Sequence, residues 1–127
     1  MAVGPRNATT SLNMSRAPNA AAKRVADAAP LFAALGDETR LRLITRLCQE
    51  GPLSISRLSE GASITRQAVS KHLGTLEASG LVQASQKGRE RIYEFAPARL
   101  RSAQRYLDQV SAEWDSAIER LRTYVEE

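Results

Sequence analysis

The chain has 127 residues, 43% of them hydrophobic and 25% charged, which suits one globular domain with a modest core and excludes a second. Its formal net charge of +4 favours a polyanionic partner, and the excess of Lys and Arg lies in residues 1–30 and 61–95. The single cysteine, Cys48, excludes an internal disulfide and a cysteine-rich metal site. No apolar run approaches membrane-spanning length and no signal-peptide core is present, so we expect a cytoplasmic protein with no membrane partner.

Residues 1–22 are predicted to form a disordered tail. They are rich in Ala, Asn, Ser, Thr and Arg, and they carry few bulky apolar groups whose burial could offset the entropy of ordering. The tail is free of acids, as transit peptides are, but no apolar helical face accompanies its arginines. Met14 is a second candidate for the native start.

Two helices are predicted next. The first begins at Asp27 as N-cap, accepts Pro30 in its first turn and ends at Gly36. Asp37 caps the second helix, which Gly51 and Pro52 end. The apolar side of the second helix is predicted to consist of Leu41, Ile44, Leu47 and Cys48.

A short helix capped by Ser54 and ended by Gly61 precedes a polar helix, which Thr65 caps and Gly80 ends. At about 100° per residue one face of the polar helix is apolar, formed by Val69, Leu73 and Leu76. The opposite face is formed by Gln67, Ser70, Lys71, Gly74 and Thr75. Its donors, acceptors and cation suit the major groove of DNA.

A hairpin follows the polar helix. Alternating apolar residues predict two strands around Val82 and Tyr93, joined by a turn at Lys87 and Gly88. The tip carries the cations Lys87, Arg89 and Arg91. Residues 23–97 therefore predict a mainly α fold with a small β-hairpin wing, a winged helix-turn-helix domain that binds double-stranded DNA.

Four segments resemble the ArsR-type winged-helix repressors: residues 31–44 (LFAALGDETRLRLI), 67–73 (QAVSKHL), 78–82 (ASGLV) and 88–89 (GR). The likeness extends from about residue 24 to 120. It implies a homodimeric repressor on an inverted-repeat operator, with the fourth helix in the major groove and the wing at the flanking minor groove or phosphates. The DNA-binding residues that it implies are Thr65, Arg66, Gln67, Ser70, Lys71, His72, Lys87, Arg89 and Arg91.

The chain departs from the metal-sensing members of that family. They have a Cys-x-Cys pair where this chain has Ser54-Ile55-Ser56, and others have His and Asp ligands on the last helix, where this chain has no His. Cys48 and His72 cannot supply a soft-metal ligand set, so we expect no metal and no cofactor. The inducing signal cannot be read from the sequence.

His72 and Cys48 each have a second interpretation, and a catalytic role for the run Ser70-Lys71-His72 can be weighed as well. His72 lies about 60° from the apolar stripe, so packing is as consistent with its position as phosphate contact. Cys48 is interpreted as a small core hydrophobe, with redox sensing as the alternative. Ser70, Lys71 and His72 point in three directions, so no nucleophile faces a base and no enzyme activity is expected.

The last segment, residues 98–127, is predicted to be a dimerisation helix. Apolar residues recur there at alternating spacings of three and four, a pattern that we call the seam: Leu100, Ala103, Leu107, Val110, Trp114, Ala117, Leu121 and Tyr124. The dimer contacts are assigned to Leu100, Leu107, Val110, Trp114 and Leu121, in a dimer built on the first and last helices. The alternative is that this helix folds back on its own domain.

Two functions are consistent with these features. The favoured one is a sequence-specific DNA-binding regulator, a homodimeric repressor that could regulate its own gene. The other is a winged-helix module for protein contacts, in which the polar helix is merely solvated. Arg66, Lys71, Arg89 and Arg91 favour DNA, because protein-contact surfaces more often expose aromatic or aliphatic anchors.

Overall fold

A computed structural model describes residues 19–126 of the chain. In chain order the elements are α1 (Asn19–Leu35), α2 (Glu38–Glu50), β1 (Leu53–Ser54), α3 (Ile55–Glu60), α4 (Arg66–Ala78), β2 (Val82–Lys87), β3 (Glu90–Phe95) and α5 (Pro97–Glu126). The fold is mainly α with a small antiparallel sheet, as predicted. Among the helices of residues 19–126, none combines the length and apolar character needed to cross a lipid bilayer.

Helix α1 begins eight residues before the predicted start at Asp27. Residues 19–22 of the predicted tail are therefore helical, and residues 1–18 lie outside the described part. Asp27 is not a cap but an interior residue whose carboxylate lies 3.8 Å from the Lys23 ammonium. Pro30 also lies inside the helix. Proline disfavours a helix interior, but the Ala-rich sequence favours helix and buried Leu31 and Ala34 follow the proline on the same element.

Helix α2 begins at its predicted cap. The Asp37 carboxylate accepts a hydrogen bond from the Arg40 backbone N–H at 3.0 Å, which lowers the pKa of Asp37 below its ordinary value of 3.8. Ile44 and Leu47 are buried as predicted. Leu41 and Cys48 are exposed, and Leu43 is buried in their place.

The prediction for Leu41 and Cys48 was wrong because two overlapping apolar stripes share Ile44 and Leu47. Leu41 and Leu43 are about 200° apart on a helix, so only one of them can face the core. The exposed position of Cys48 also excludes its interpretation as a core hydrophobe.

Helices α3 and α4 are capped as predicted. The Ser54 hydroxyl accepts from the Arg57 backbone N–H at 3.1 Å, and the Thr65 hydroxyl accepts from the Ala68 backbone N–H at 3.0 Å. The predicted stripe of α4 is fully buried, and it consists of Val69, Leu73 and Leu76. Gly80 follows α4 with φ of 81°, in the left-handed region that favours glycine.

The sheet has three strands in the order β1-β3-β2, all antiparallel. Val82 pairs with Phe95 and Lys87 with Glu90, which leaves a two-residue turn of Gly88 and Arg89. Gly88 has φ of 62° and no non-glycine residue of the described chain has a positive φ, a pattern that fits a II′ hairpin turn. Strand β1 was not predicted, because two residues are too short to show alternation.

Helix α5 contributes to the core only through its first turns. Ala103 is buried and Leu100 packs against the core, so for these two residues the alternative of folding back on the domain is correct. The ring of Tyr106 meets that of Phe32 on α1 edge to face, with 6.0 Å between centroids. Beyond this contact the large apolar side chains of the seam are exposed, Trp114 by 66% and Leu107 by 53%.

Candidate nucleic-acid interface

The outer face of α4 presents most of the polar residues predicted to contact DNA. Its buried stripe fixes the rotation of the helix, so the opposite side faces solvent. The exposed residues include Thr65, Arg66, Gln67, Ser70 and Lys71. This face is therefore a rigid row of hydrogen-bonding groups on the surface.

Thr65 has a structural role as well as its place on this face. Its hydroxyl oxygen accepts the cap hydrogen bond, and its hydroxyl hydrogen remains available to be donated to a phosphate oxygen. A DNA contact by Thr65 would therefore be a donated hydrogen bond.

His72 is turned away from this face. It is half-buried, and its Nδ1 lies 3.2 Å from Nη1 of Arg40 on α2. A guanidinium can only donate, so Nδ1 is the acceptor in this contact. The structure places His72 in packing contact with the domain, one of its two interpretations from sequence.

Arg40 is a positioning residue that the sequence analysis did not identify, because its partners lie on other helices. Its Nε donates to the Ala34 carbonyl at 2.6 Å and its Nη2 to the Ala33 carbonyl at 3.3 Å. These carbonyls belong to the last turn of α1, where intrahelical donors run out. Arg40 thus ties the end of α1 to α4 through His72.

The wing cations divide into two kinds. Lys87 and Arg89 are exposed at the hairpin tip. Arg91 was predicted to lie at the tip with them, but its Nη2 lies 3.5 Å from the Glu77 carboxylate of α4 and its guanidinium lies 5.9 Å from the Tyr93 ring centroid. Arg91 therefore joins the wing to α4.

The free positive charge of the interface comes from four side chains. Within residues 19–126, no ion pair involves Arg66, Lys71, Lys87 or Arg89. Unpaired cations beside a row of hydrogen-bonding groups suit phosphates that flank a groove.

The described residues contain no cluster suited to a metal ion, because no three of their His, Cys, Asp or Glu side chains come together. Ser54 and Ser56 carry hydroxyl groups and no thiolate, and Ser54 is already used as a helix cap.

Helix α4 has a buried apolar stripe and an exposed polar face, and a positively charged hairpin lies beside it. This arrangement is that of a winged helix-turn-helix regulator that binds DNA. The helix-turn-helix domain family matches residues 35–83. Over 71 residues the chain is 39% identical to YuzN of Bacillus subtilis, an uncharacterized HTH-type transcriptional regulator, and the alignment covers 51% of this chain and 77% of YuzN.

Solved structures extend this likeness to the whole fold. An ArsR-like transcriptional regulator from Rhodococcus sp. RHA1 is 39% identical in sequence and superposes with a TM-score of 0.69. The superposition covers 77% of this chain and 92% of the Rhodococcus chain. The transcriptional repressor BigR from Xylella fastidiosa is 28% identical, with a TM-score of 0.57 over 70% of this chain and 88% of its own. The chain belongs to the ArsR-type winged helix-turn-helix transcriptional regulators.

Proposed function

We propose that this regulator is a homodimeric repressor that reads an inverted-repeat operator with α4. The observation that carries the proposal is the exposed polar face of α4, held by a fully buried stripe and accompanied by cations without acidic partners. The likeness to BigR, which is a transcriptional repressor, supports repression as the mode of action. Binding at its own promoter would make the protein autoregulatory.

The contacts are proposed residue by residue. Gln67 and Ser70 read base edges from the middle of the exposed face, and Thr65, Arg66 and Lys71 contact the adjoining backbone. Lys87 and Arg89 reach phosphates or the minor groove from the wing. His72 and Arg91 position α4 and the wing without touching DNA, since both are engaged by protein groups.

The dimer is proposed to form through the exposed part of the seam. In one protomer α5 leaves Leu107, Val110, Trp114 and Leu121 exposed, an apolar row longer than the domain can cover. Val25 on α1 is also exposed, consistent with a contribution from the first helix. A two-fold dimer would hold two α4 helices one turn of DNA apart, as inverted half-sites require.

The proposed division of the chain follows from these roles. Residues 23–97 form the reading domain and residues 98–127 form the dimerisation helix, with residues 1–22 as a tail that includes the start of α1. No catalytic role is proposed, because Ser70, Lys71 and His72 are adjacent on a helix and point in different directions. The exposed face of α4 also lacks the apolar anchors that a protein-contact module would need.

The experiment is recovery of genomic fragments on the purified protein, followed by affinity measurements on the recovered operator and on random DNA. We expect Gln67→Ala and Ser70→Ala each to cost about 1–3 kcal/mol on the operator and little on random DNA. Gln104→Ala, an exposed glutamine on α5, is the matched control and should change neither. Equal losses on both DNAs would show that α4 does not read sequence.

A further inference from the structure

A cleft of about 300 Å³ lies between α1 and the N-terminal half of α5. Its floor includes the buried Ala28, and one wall is the half-buried ring of Tyr106, which Phe32 supports. This volume is at the lower end of the range of small-molecule sites. The apolar floor and aromatic wall suit a compact apolar body.

The rim of the cleft is strongly positive. Arg24 of α1 and Arg99 and Arg105 of α5 line it, and none of these three guanidinium groups forms an ion pair among the described residues. The one acidic residue of the lining, Asp27, is already paired with Lys23. Three cations from two helices line one cleft without an ion-pair partner, so an anion placed among them would be attracted by all three.

Arg105 is also partly oriented for such a ligand. Its Nη2 lies 3.1 Å from the hydroxyl oxygen of Ser102, one turn earlier on α5 and also in the lining. A guanidinium has five N–H donors in a planar fork, so this bond leaves the others available for a carboxylate or phosphate.

Arg99 connects the cleft to the reading helix. A Cβ placed on Gly80 would lie only 3.0 Å from Cγ of Arg99, so the stem of the arginine rests on this glycine. Gly80 is the left-handed residue that ends α4. A displacement of Arg99 would therefore change the packing around Gly80, at the end of the helix that we propose to bind DNA.

We infer that the α1/α5 cleft binds a small organic anion, with a carboxylate or phosphate head among the three arginines and an apolar body against Tyr106. We infer further that Arg99 transmits occupancy to α4, a step that rests on the proposed function. At about 100° per residue Ser102, Arg105 and Gln109 lie more than about 100° from the middle of the exposed seam around the helix axis. Arg99 and Tyr106 lie about 50–70° from it, so the cleft borders the proposed dimer face.

The binding step can be tested without DNA. Calorimetric titrations in chloride buffer would compare benzoate and phenyl phosphate with benzamide, which has a similar ring and no charge. We expect saturable binding of at least one of the anions, no matching binding of benzamide, and at least about tenfold weaker binding by Arg24→Gln combined with Arg105→Gln. Arg101→Gln removes a cation from the same helix outside the lining and should bind as the wild type does.

Absence of saturable binding up to about 10 mM, or equal binding of benzamide, would overturn the site. Equal binding by the double variant would do the same. If the double variant loses its helical circular dichroism, the single surface variant Arg105→Gln takes its place, with weaker anion binding expected by the same argument.

The coupling step is tested on DNA at matched ionic strength, with sodium chloride and benzamide as controls. We expect the bound anion to change operator affinity by about fivefold or more in the wild type and not in the double variant. An anion that binds without changing DNA affinity would refute the coupling. A double variant that binds DNA more weakly without any anion would assign these arginines to DNA, and a wild type that binds no DNA would refute only the proposed function.

Discussion

At the residue scale, Thr65 combines a structural role with a proposed binding role. Its oxygen caps α4, and it is exposed at the start of the face that we propose to bind DNA. The two roles differ in their chemistry, because the cap needs an acceptor and a phosphate needs a donor.

Thr65→Asp should separate the two roles of this residue. Aspartate is an equally good N-cap, so the free energy of unfolding should stay within about 0.5 kcal/mol of the wild type, while repulsion of phosphate weakens DNA binding. Thr65→Ala should instead destabilise the protein by about 1 kcal/mol. Urea unfolding and DNA titration of both variants measure this; unchanged DNA affinity in Thr65→Asp would remove Thr65 from the interface.

Arg40 gives the second prediction at this scale. Arg40→Met keeps much of the apolar stem but removes the bonds to the carbonyls of Ala33 and Ala34 and to His72. We expect a loss of about 1.5–3 kcal/mol in the free energy of unfolding, because a charged donor serves partly buried acceptors.

The matched control is Arg42→Met on the same helix. Arg42 pairs only with Glu38, one turn away on the exposed surface, so its loss should cost about 0.5 kcal/mol or less. If both variants unfold at the same urea concentration, Arg40 does not hold α1, α2 and α4 together.

The sequence predicted residue roles well where both partners are local. Asp37, Ser54 and Thr65 cap helices because each needs only a backbone N–H three residues ahead. The partners of Arg40 and Arg91 lie 32 and 14 residues away, at His72 and Glu77. No local pattern encodes such a pair, so their positioning roles could be found only in the fold.

At the element scale, the wing contacts α4 through the Arg91–Glu77 ion pair, and the side chains of Lys87 and Arg89 at its tip are exposed. Arg89→Ala should weaken binding to operator and random DNA together, and it should flatten the log–log salt dependence by about 0.9 for each phosphate that the wing no longer neutralises. Arg91→Ala should leave that slope unchanged, because its guanidinium is engaged by Glu77 and Tyr93.

Glu77→Gln provides the control for Arg91, since it breaks the same ion pair and keeps the cation. If positioning is the role of Arg91, Glu77→Gln and Arg91→Ala should alter operator affinity in the same direction. A salt slope that Arg91→Ala flattens as much as Arg89→Ala does would make Arg91 a phosphate-binding residue after all.

Elements with long, regular patterns were predicted closely, and short or marginal ones were not. Helix α4 has a regular apolar period and clear end signals, and its predicted ends at Thr65 and Gly80 agree with the structure within a residue or two. Both strands of the hairpin were predicted, but the turn is Gly88 and Arg89, one residue later than predicted. Strand β1 consists of two residues and exists only because β3 lies beside it. The start of α1 was predicted too late because Asp27 and Pro30 together imitate a helix N-terminus.

At the scale of the whole molecule, the exposed part of the seam predicts association. Trp114 lies in the middle of it and is 66% exposed in one protomer, so Trp114→Ala should weaken the dimer by about 2–4 kcal/mol. Sedimentation equilibrium measures the effect, and Glu113→Ala, its neighbour outside the seam, should dimerise as the wild type does. A wild type that is monomeric at micromolar concentration would contradict the proposed dimer.

Only the first turns of α5 pack against the core of the domain, so residues farther along the helix contribute little to the stability of that domain. Substitutions at Leu107, Val110, Trp114 or Leu121 leave α4 and its buried stripe untouched. After gene duplication, such changes could therefore separate two sister regulators into partners that no longer exchange subunits, while both still read the same operator. If the proposed dimer forms through the seam, the choice of partner subunit and the choice of DNA site could evolve independently.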